Sequence, residues 1–151
     1  MPLLRKELSK KLVSEIRDWL RTCPLIDKND RFNVNYLGAE PVAFSIEETP
    51  NTPIIQQYLD GSSIREKAFA LAAVQDYSPD ILSQIANSGF WESFSDWVET
   101  QNRKRKFPEM PAGKTARKIE VTTTHYLYRA GENTARYQVQ MKLTYFQKGE
   151  R

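Results

Sequence analysis

The chain has 151 residues, a length that suits one domain with one core, and its 40% hydrophobic and 27% charged content lies far from the composition of chains that stay unfolded. Its 22 basic and 19 acidic side chains leave a net charge of only +3, which permits contact with a polyanion without demanding it, and its single cysteine excludes an intrachain disulfide. No apolar run approaches the ~18 residues of a membrane span, and Met1 to Thr22 is too charged and too periodic for a signal peptide, so the expected compartment is reducing and cytoplasmic.

Leu4, Leu8, Leu12, Ile16 and Leu20 recur at every fourth position, with Val13 and Trp19 widening the stripe, which predicts an amphipathic helix over residues 1–23, closed by Pro24. The first reading of that stripe is packing on a sheet. A membrane-surface helix is the alternative, opposed by Glu7, Glu15 and Asp18 on the polar side. Residues 32–77 read as strands: Phe32, Val34 and Tyr36 alternate with polar partners, as do Val42, Phe44 and Ile46, the two runs being joined by a short turn in "LGAEP". A polar connector follows at 47–63, "EETPNTPIIQQYLDGSS", in which Pro50 and Pro53 withhold two backbone donors and Asp60–Gly61 mark a turn. The next segment, Ser62 to Tyr77, is ambiguous. Its alanines favour a helix on propensity, whereas Phe69 and Leu71 on one parity and Ala68, Ala70, Ala72 and Val74 on the other also fit a strand.

A helical region is expected over 78–105, capped by Ser78 with Pro79 at its first position, and interrupted by "NSG" at Asn87–Gly89. Beyond the interruption Phe90, Trp91, Phe94, Trp97 and Val98 form an aromatic helix face, read as packing in preference to base stacking. The terminal region, 116–147, reads as a β-hairpin. Ala135, Tyr137, Val139, Met141, Leu143 and Tyr145 face one way along a long strand, and Ile119–Tyr128 pairs with it across "RAGEN". The sum is a single α+β domain, with an antiparallel sheet of four to five strands packed against the N-terminal helix and the central helical region.

Residues capable of chemistry are sparse. His125 is the only histidine and lies among threonines and tyrosines, where a hydrogen-bonded structural imidazole is the first reading, and Cys23 has no second thiol or cluster of ligands beside it. No Walker glycine loop, G-x-G-x-x-G or G-x-S-x-G is present. The expectation is therefore a non-enzyme with no catalytic, cofactor-binding or metal-binding residues; an acyltransferase relying on His125 is the enzymatic alternative. Charge is distributed unevenly. Arg103, Lys104, Arg105, Lys106, Lys114, Arg117 and Lys118 face one acid, Glu109, so residues 103–118 carry +6 and the remainder −3. That basic patch suits an acidic protein neighbour or DNA phosphates, and binding nucleic acid through it is a separate functional reading.

The stretches "FSIEETPNTPIIQQYLDGSSIREKAFAL", "ILSQIANSGFWESFSDWVE" and "KIEVTTTHYLYRAGENTARYQVQMKLTYF" resemble minor structural proteins of long-tailed bacteriophages and of prophages of Gram-positive bacteria. The resemblance extends over about Val42 to Phe146, including I-x-N-S-G-F-x-E at Ile85–Glu92 and T-A-R-Y-Q at Thr134–Gln138. The order of elements is similar to that of tail terminators. The resemblance implies a virion protein at the head-proximal end of the tail, made in the host cytoplasm and forming a homo-oligomer, usually a hexameric ring, on the tail tube. Its implied partners are tube and head–tail connector proteins, with weak, sequence-independent DNA contact and no membrane; a head–tail connector or minor capsid protein is the near alternative. It also implies that Ser62–Tyr77 is a strand. On this reading Glu47, Glu48, Pro50, Pro53 and Asp60 are subunit-interface residues, and Glu47 and Glu48 of one copy are expected to meet the 103–118 patch of the next.

Overall fold

A computed structural model describes residues 11–35, 43–76, 80–131 and 134–149. Its elements are helix α1 (Leu12–Leu20), strands β1 (Arg31–Val34), β2 (Ala43–Glu48), β3 (Ile54–Gln57) and β4 (Ser63–Asp76), helix α2 (Ile81–Lys104), and strands β5 (Lys114–Val121), β6 (Tyr126–Ala130) and β7 (Thr134–Gln147). The protein is α+β, with a mixed sheet of seven strands and two helices among the described residues.

The sheet is built on one long antiparallel pair. β4 and β7, 14 residues each, run in unbroken register from Ser63↔Gln147 to Asp76↔Thr134. Over Ser63–Asp76 this settles the helix-or-strand ambiguity in favour of strand, Tyr77 lying outside the described residues. Alanine's helical preference is worth well under 1 kcal/mol per residue, and the pairing of every position with β7, together with burial of Phe69, Leu71 and Ala73 in the core, outweighs it.

Each long strand carries two short strands on its outer edge. β2 and β3 share the edge of β4, and β5 and β6 share the edge of β7, while β1 lies outside β2. The expected count of four to five strands is therefore low. The connector 47–63 contains β3, and the expected terminal hairpin is three strands, because residues 122–125 break the partner of β7 into β5 and β6. The expected antiparallel order also fails at one place: β1 and β2 pair in parallel, Arg31↔Ala43 to Val34↔Ile46. Most of the turn expected between them, with Tyr36 and Val42, lies outside the described residues.

Side chains mend both edge breaks. Between β2 and β3, Asn51 accepts the amide of Ala68 at 3.1 Å and donates to the carbonyl of Glu66 at 2.9 Å, doing the work of a backbone unit. Between β5 and β6, the Thr123 hydroxyl accepts the amide of Gln140 at 3.0 Å. Backbone bonds from Thr49 to Ala68 and from Thr122 to Gln140 flank these side-chain bonds, so the main-chain groups of β4 and β7 keep partners where the edge changes strands.

One face of the sheet carries the core. Phe44, Ile46, Phe69, Leu71, Ile119, Val139, Met141 and Leu143 pack under Ile16, Trp19 and Leu20 of α1 and Trp91, Phe94 and Val98 of α2. Burying each large apolar side chain of this kind contributes about 1.5–3 kcal/mol. The aromatic face of α2 is thus packing: Phe90, Trp91 and Phe94 contact one another, and Trp97 packs at a tilt against Trp19 with ring centres 4.7 Å apart. Helix α2 runs without a break through Asn87–Gly89, contrary to the interruption expected there. A propensity penalty of about 1 kcal/mol for glycine is small beside the packing on either side of it. Leu4, Leu8, Ser78 and Pro79 lie outside the described residues.

The opposite face is polar at its margins and flat at its centre. Ala70 and Ala72 are fully buried there, beneath a layer that includes Arg136, Gln138 and Tyr126. Gln138 donates to the Tyr126 hydroxyl at 2.6 Å, and the Arg136 guanidinium lies 4.6 Å from the centre of the Tyr128 ring.

Candidate functional site

At one end of the sheet four strands lie side by side, with Gln57, Ser63, Gln147 and Lys114 in a row across β3, β4, β7 and β5. With strands about 4.8 Å apart, this places β3 and β5 on opposite edges of the domain. The two sets of residues expected to make contacts occupy these two edges.

On the first edge, β3 and β4 form a hairpin whose loop is built by its own sequence. The amide of Gly61 donates to the Tyr58 carbonyl at 3.1 Å, and that of Tyr58 to Ser62 at 2.9 Å. Asp60 accepts from both the amide and the hydroxyl of Ser62, at 2.9 and 2.5 Å, and these bonds hold its carboxyl below the usual range. Gly61 takes φ +90°, where a side chain is strained. Gly149 lies against the loop so closely that a Cβ there would stand 2.6 Å from the Asp60 carbonyl oxygen. The loop is therefore held in place, yet it presents apolar surface: Ile55 is 53%, Tyr58 44% and Leu59 100% exposed. Pro50 and Pro53 are exposed on the approach to β3, and the Pro53 carbonyl accepts the amide of Glu66 at 2.8 Å.

Glu47 and Glu48 behave differently from the expectation. Glu47 accepts from Arg136 at 2.8 Å, and Glu48 from Lys67 at 2.7 Å and Asn35 at 3.0 Å. The Lys67 and Asn35 bonds hold the Glu48 carboxyl below its ordinary value. Both acids are thus joined to cations of their own chain, and a contact with a neighbour's basic patch would first have to break these pairs. Asp60, at the exposed loop, is the acid of the connector without a cation in the ion pairs described.

On the second edge, the basic residues come from the end of α2 and from β5. Arg105, at φ +55°, closes the helix: its amide donates to Asn102 at 3.1 Å and that of Lys106 to Gln101 at 2.9 Å, the Schellman pattern in which glycine is the usual occupant. Arg103, Lys104, Arg105 and Lys106 are all exposed, as are Arg117 and Lys118, while Lys114 is half-buried. Arg105 lies over Phe107 and Arg117 over Phe146, at 6.0 and 5.6 Å. Lys118 is held by Glu120 at 2.8 Å, and Glu120 also draws in Lys142, so this part of the patch is neutralised locally.

A cleft of about 570 Å³ separates α2 from β5. Val98 and Val121 lie in its wall, and Arg103 and Lys118 converge on it from its two sides. An adjoining hollow of about 350 Å³, sharing Ser95 and Thr124, extends it to Trp91 and His125. His125 stacks on Trp91 with ring centres 6.1 Å apart and 7° between planes. Cys23 is buried, and burial pushes its thiol above the ordinary value, which opposes reactivity.

Among the described residues no group of three or more His, Cys, Asp or Glu side chains could hold a metal ion, and no helix is long and apolar enough to cross a membrane. The sequence reading missed the apolar hairpin tip. Its signal was present in Ile54–Ile55 and Tyr58–Leu59, apolar pairs within an otherwise polar, turn-rich connector. The cleft had no such signal, since its walls lie far apart in sequence. No protein-family model matches this chain, and no curated protein sequence matches it.

Proposed function

We propose that this protein is a structural component of a long-tailed phage virion, a tail terminator or tail completion protein that assembles with copies of itself into a ring, expected to be hexameric, at the head-proximal end of the tail tube. The observation that carries this reading is the presence of two unlike surfaces that follow different edge strands of one sheet: the hairpin tip after β3 with Leu59 fully exposed, and the cationic strip from Arg103 to Lys118 that includes β5. Contact between unlike faces of identical subunits is heterologous and closes into a ring when the rotation permits. Exposed apolar side chains gathered at a rigid loop are a common mark of a protein contact. The sequence resemblance to minor tail proteins supplies the setting, including the finer tail-terminator fold, and the long β4–β7 pair provides a stiff frame on which two edges keep a fixed relation.

Light scattering of purified protein across a concentration series, with negative-stain imaging, tests the proposal. Annuli of uniform size, with a mass near six times 17.5 kDa, are expected. A monomer at every concentration that also fails to bind tail tubes would overturn it. Binding to connector complexes in preference to tubes would move the protein to the head–tail connector.

The exposed cations Arg103–Lys106 and Arg117 favour one secondary role, sequence-independent contact with DNA passing through the ring. Such binding is expected to be weak and to fall steeply with salt.

A further inference from the structure

The hairpin tip and the α2–β5 cleft fit one another in character. Leu59 projects from the loop with no cover from its own chain, flanked by Tyr58 on one side and the Asp60 carboxylate on the other. The cleft offers Val121 within, above the buried Val98, and Arg103 on its helix side, while Lys118 on the strand side is paired with Glu120. Its volume of about 570 Å³ admits a side chain with part of the loop that carries it. The tip lies at the end of the sheet where Ser63, Gln147 and Lys114 align, and the cleft lies beyond it along β5, from Lys118 to Thr124, so no copy can satisfy its own tip with its own cleft.

We infer that the α2–β5 cleft is the receptor for the β3–β4 hairpin tip of a second copy of this chain, with Leu59 inserted between the helix and the strand and Asp60 set against Arg103. This rests on the self-assembly reading above and gives it a specific joint. The charge arrangement determines which way the tip enters, because Glu99 and Glu120 also line the cleft and repel Asp60 from their positions. Opposite charges fix register, and the desolvated leucine supplies the affinity, as buried anchors do at other interfaces. The contact is directional: a tip enters a cleft, leaving that subunit's own tip free for the next. Repetition of this joint builds a ring.

Cysteine cross-linking on the full chain tests it, since native Cys23 is buried and both chosen positions are exposed. A Leu59→Cys variant mixed with a Thr124→Cys variant under mild oxidation is expected to give a disulfide-linked dimer, and the double variant a ladder ending at the ring. Leu59→Cys mixed with Asn29→Cys, a site away from the cleft, is expected to give little or none. Without oxidation, Leu59→Asp is expected to weaken assembly tenfold or more, and Thr124→Trp, which fills the cleft, to do the same. Rings that assemble normally without the 59–124 cross-link, or that survive both substitutions, would overturn this joint and leave the self-assembly reading standing. Absence of any assembly by the unmodified protein, alone or on tubes, would overturn both.

Discussion

The side chain of Asn102 grips both backbone groups of Ile119: its Oδ1 accepts the Ile119 amide at 2.9 Å, and its Nδ2 donates to the Ile119 carbonyl. A residue in the last turns of α2 thereby takes the place of a neighbouring strand along β5, and fixes one wall of the cleft relative to the other. Removing it as Asn102→Ala leaves two partly buried backbone groups without partners, at a cost of about 1–3 kcal/mol. Urea unfolding is expected to show that loss. Asn102→Asp keeps the acceptor but sets a carboxylate against the Ile119 carbonyl, and is expected to be no better tolerated. A loss below a few tenths of a kcal/mol for the alanine variant would contradict the clamp.

Arg105 occupies a left-handed backbone position where side chains are disfavoured. Arg105→Gly is expected to raise stability by about 1 kcal/mol while reducing the positive patch by one charge. On the proposed function, the same variant should weaken assembly or tube binding most at low salt, where charge is least screened. Stability and association are thus expected to move in opposite directions. A destabilised Arg105→Gly protein would show that the arginine side chain contributes more through its contact with Phe107 than its backbone costs.

Gly89 lies in the interior of α2, and a Cβ at this position meets nothing within 4 Å. Gly89→Ala is therefore expected to stabilise the protein by about 1 kcal/mol through helix propensity alone, raising the melting temperature by roughly 2–4 °C for a chain of this size. Calorimetry checks it. A fall in melting temperature would reveal a need for glycine at this point that the helix geometry does not show.

Glu48, Glu120, Lys142 and Tyr145 each contribute to the pH dependence of stability. Hydrogen bonds from Lys67 and Asn35 hold Glu48 below its ordinary 4.5, and the bond from Lys118, with help from Lys142, does so for Glu120. A carboxylate lowered in the folded state contributes fully above its unfolded value and loses that contribution as pH falls through the folded one, so an acid limb begins below about pH 4.5. Solvent screening limits these exposed pairs to a few tenths of a kcal/mol each, roughly the surface-pair range. Glu66 raises the Lys142 value above 10.5, and burial raises Tyr145 above 10.0. Their contributions are complete below those ordinary values and fade as pH climbs through the raised ones. Urea midpoints from pH 3 to 11 are expected to form a plateau between the limbs, with a shallower acid limb in Glu48→Gln/Glu120→Gln. An unchanged acid limb in that variant would assign it to other groups.

The role of Ser62–Tyr77 shows how far the order of residues could lead. Its alternation was compatible with strand and its alanines with helix, and the choice depended on β7, about 70 positions further on. The helices, the long alternating strand 134–147 and the Asp60–Gly61 turn were legible because each is set by local periodicity or backbone preference. The edge breaks were not, since Asn51 and Thr123 act on backbone groups 17 residues away.

Sequence by itself determined an α+β chain with apolar faces on two helical stretches, a polar connector, and a concentration of positive charge at 103–118, because composition and periodicity act over a few neighbouring residues. Only the tertiary structure decided that β1 runs parallel to β2, that Glu47 and Glu48 are paired with Arg136 and Lys67, that Leu59 is left fully exposed, and that α2 and β5 enclose a cleft. Those outcomes depend on which distant strands share an edge, and pairing between distant segments is governed by the closure of the whole sheet over its core.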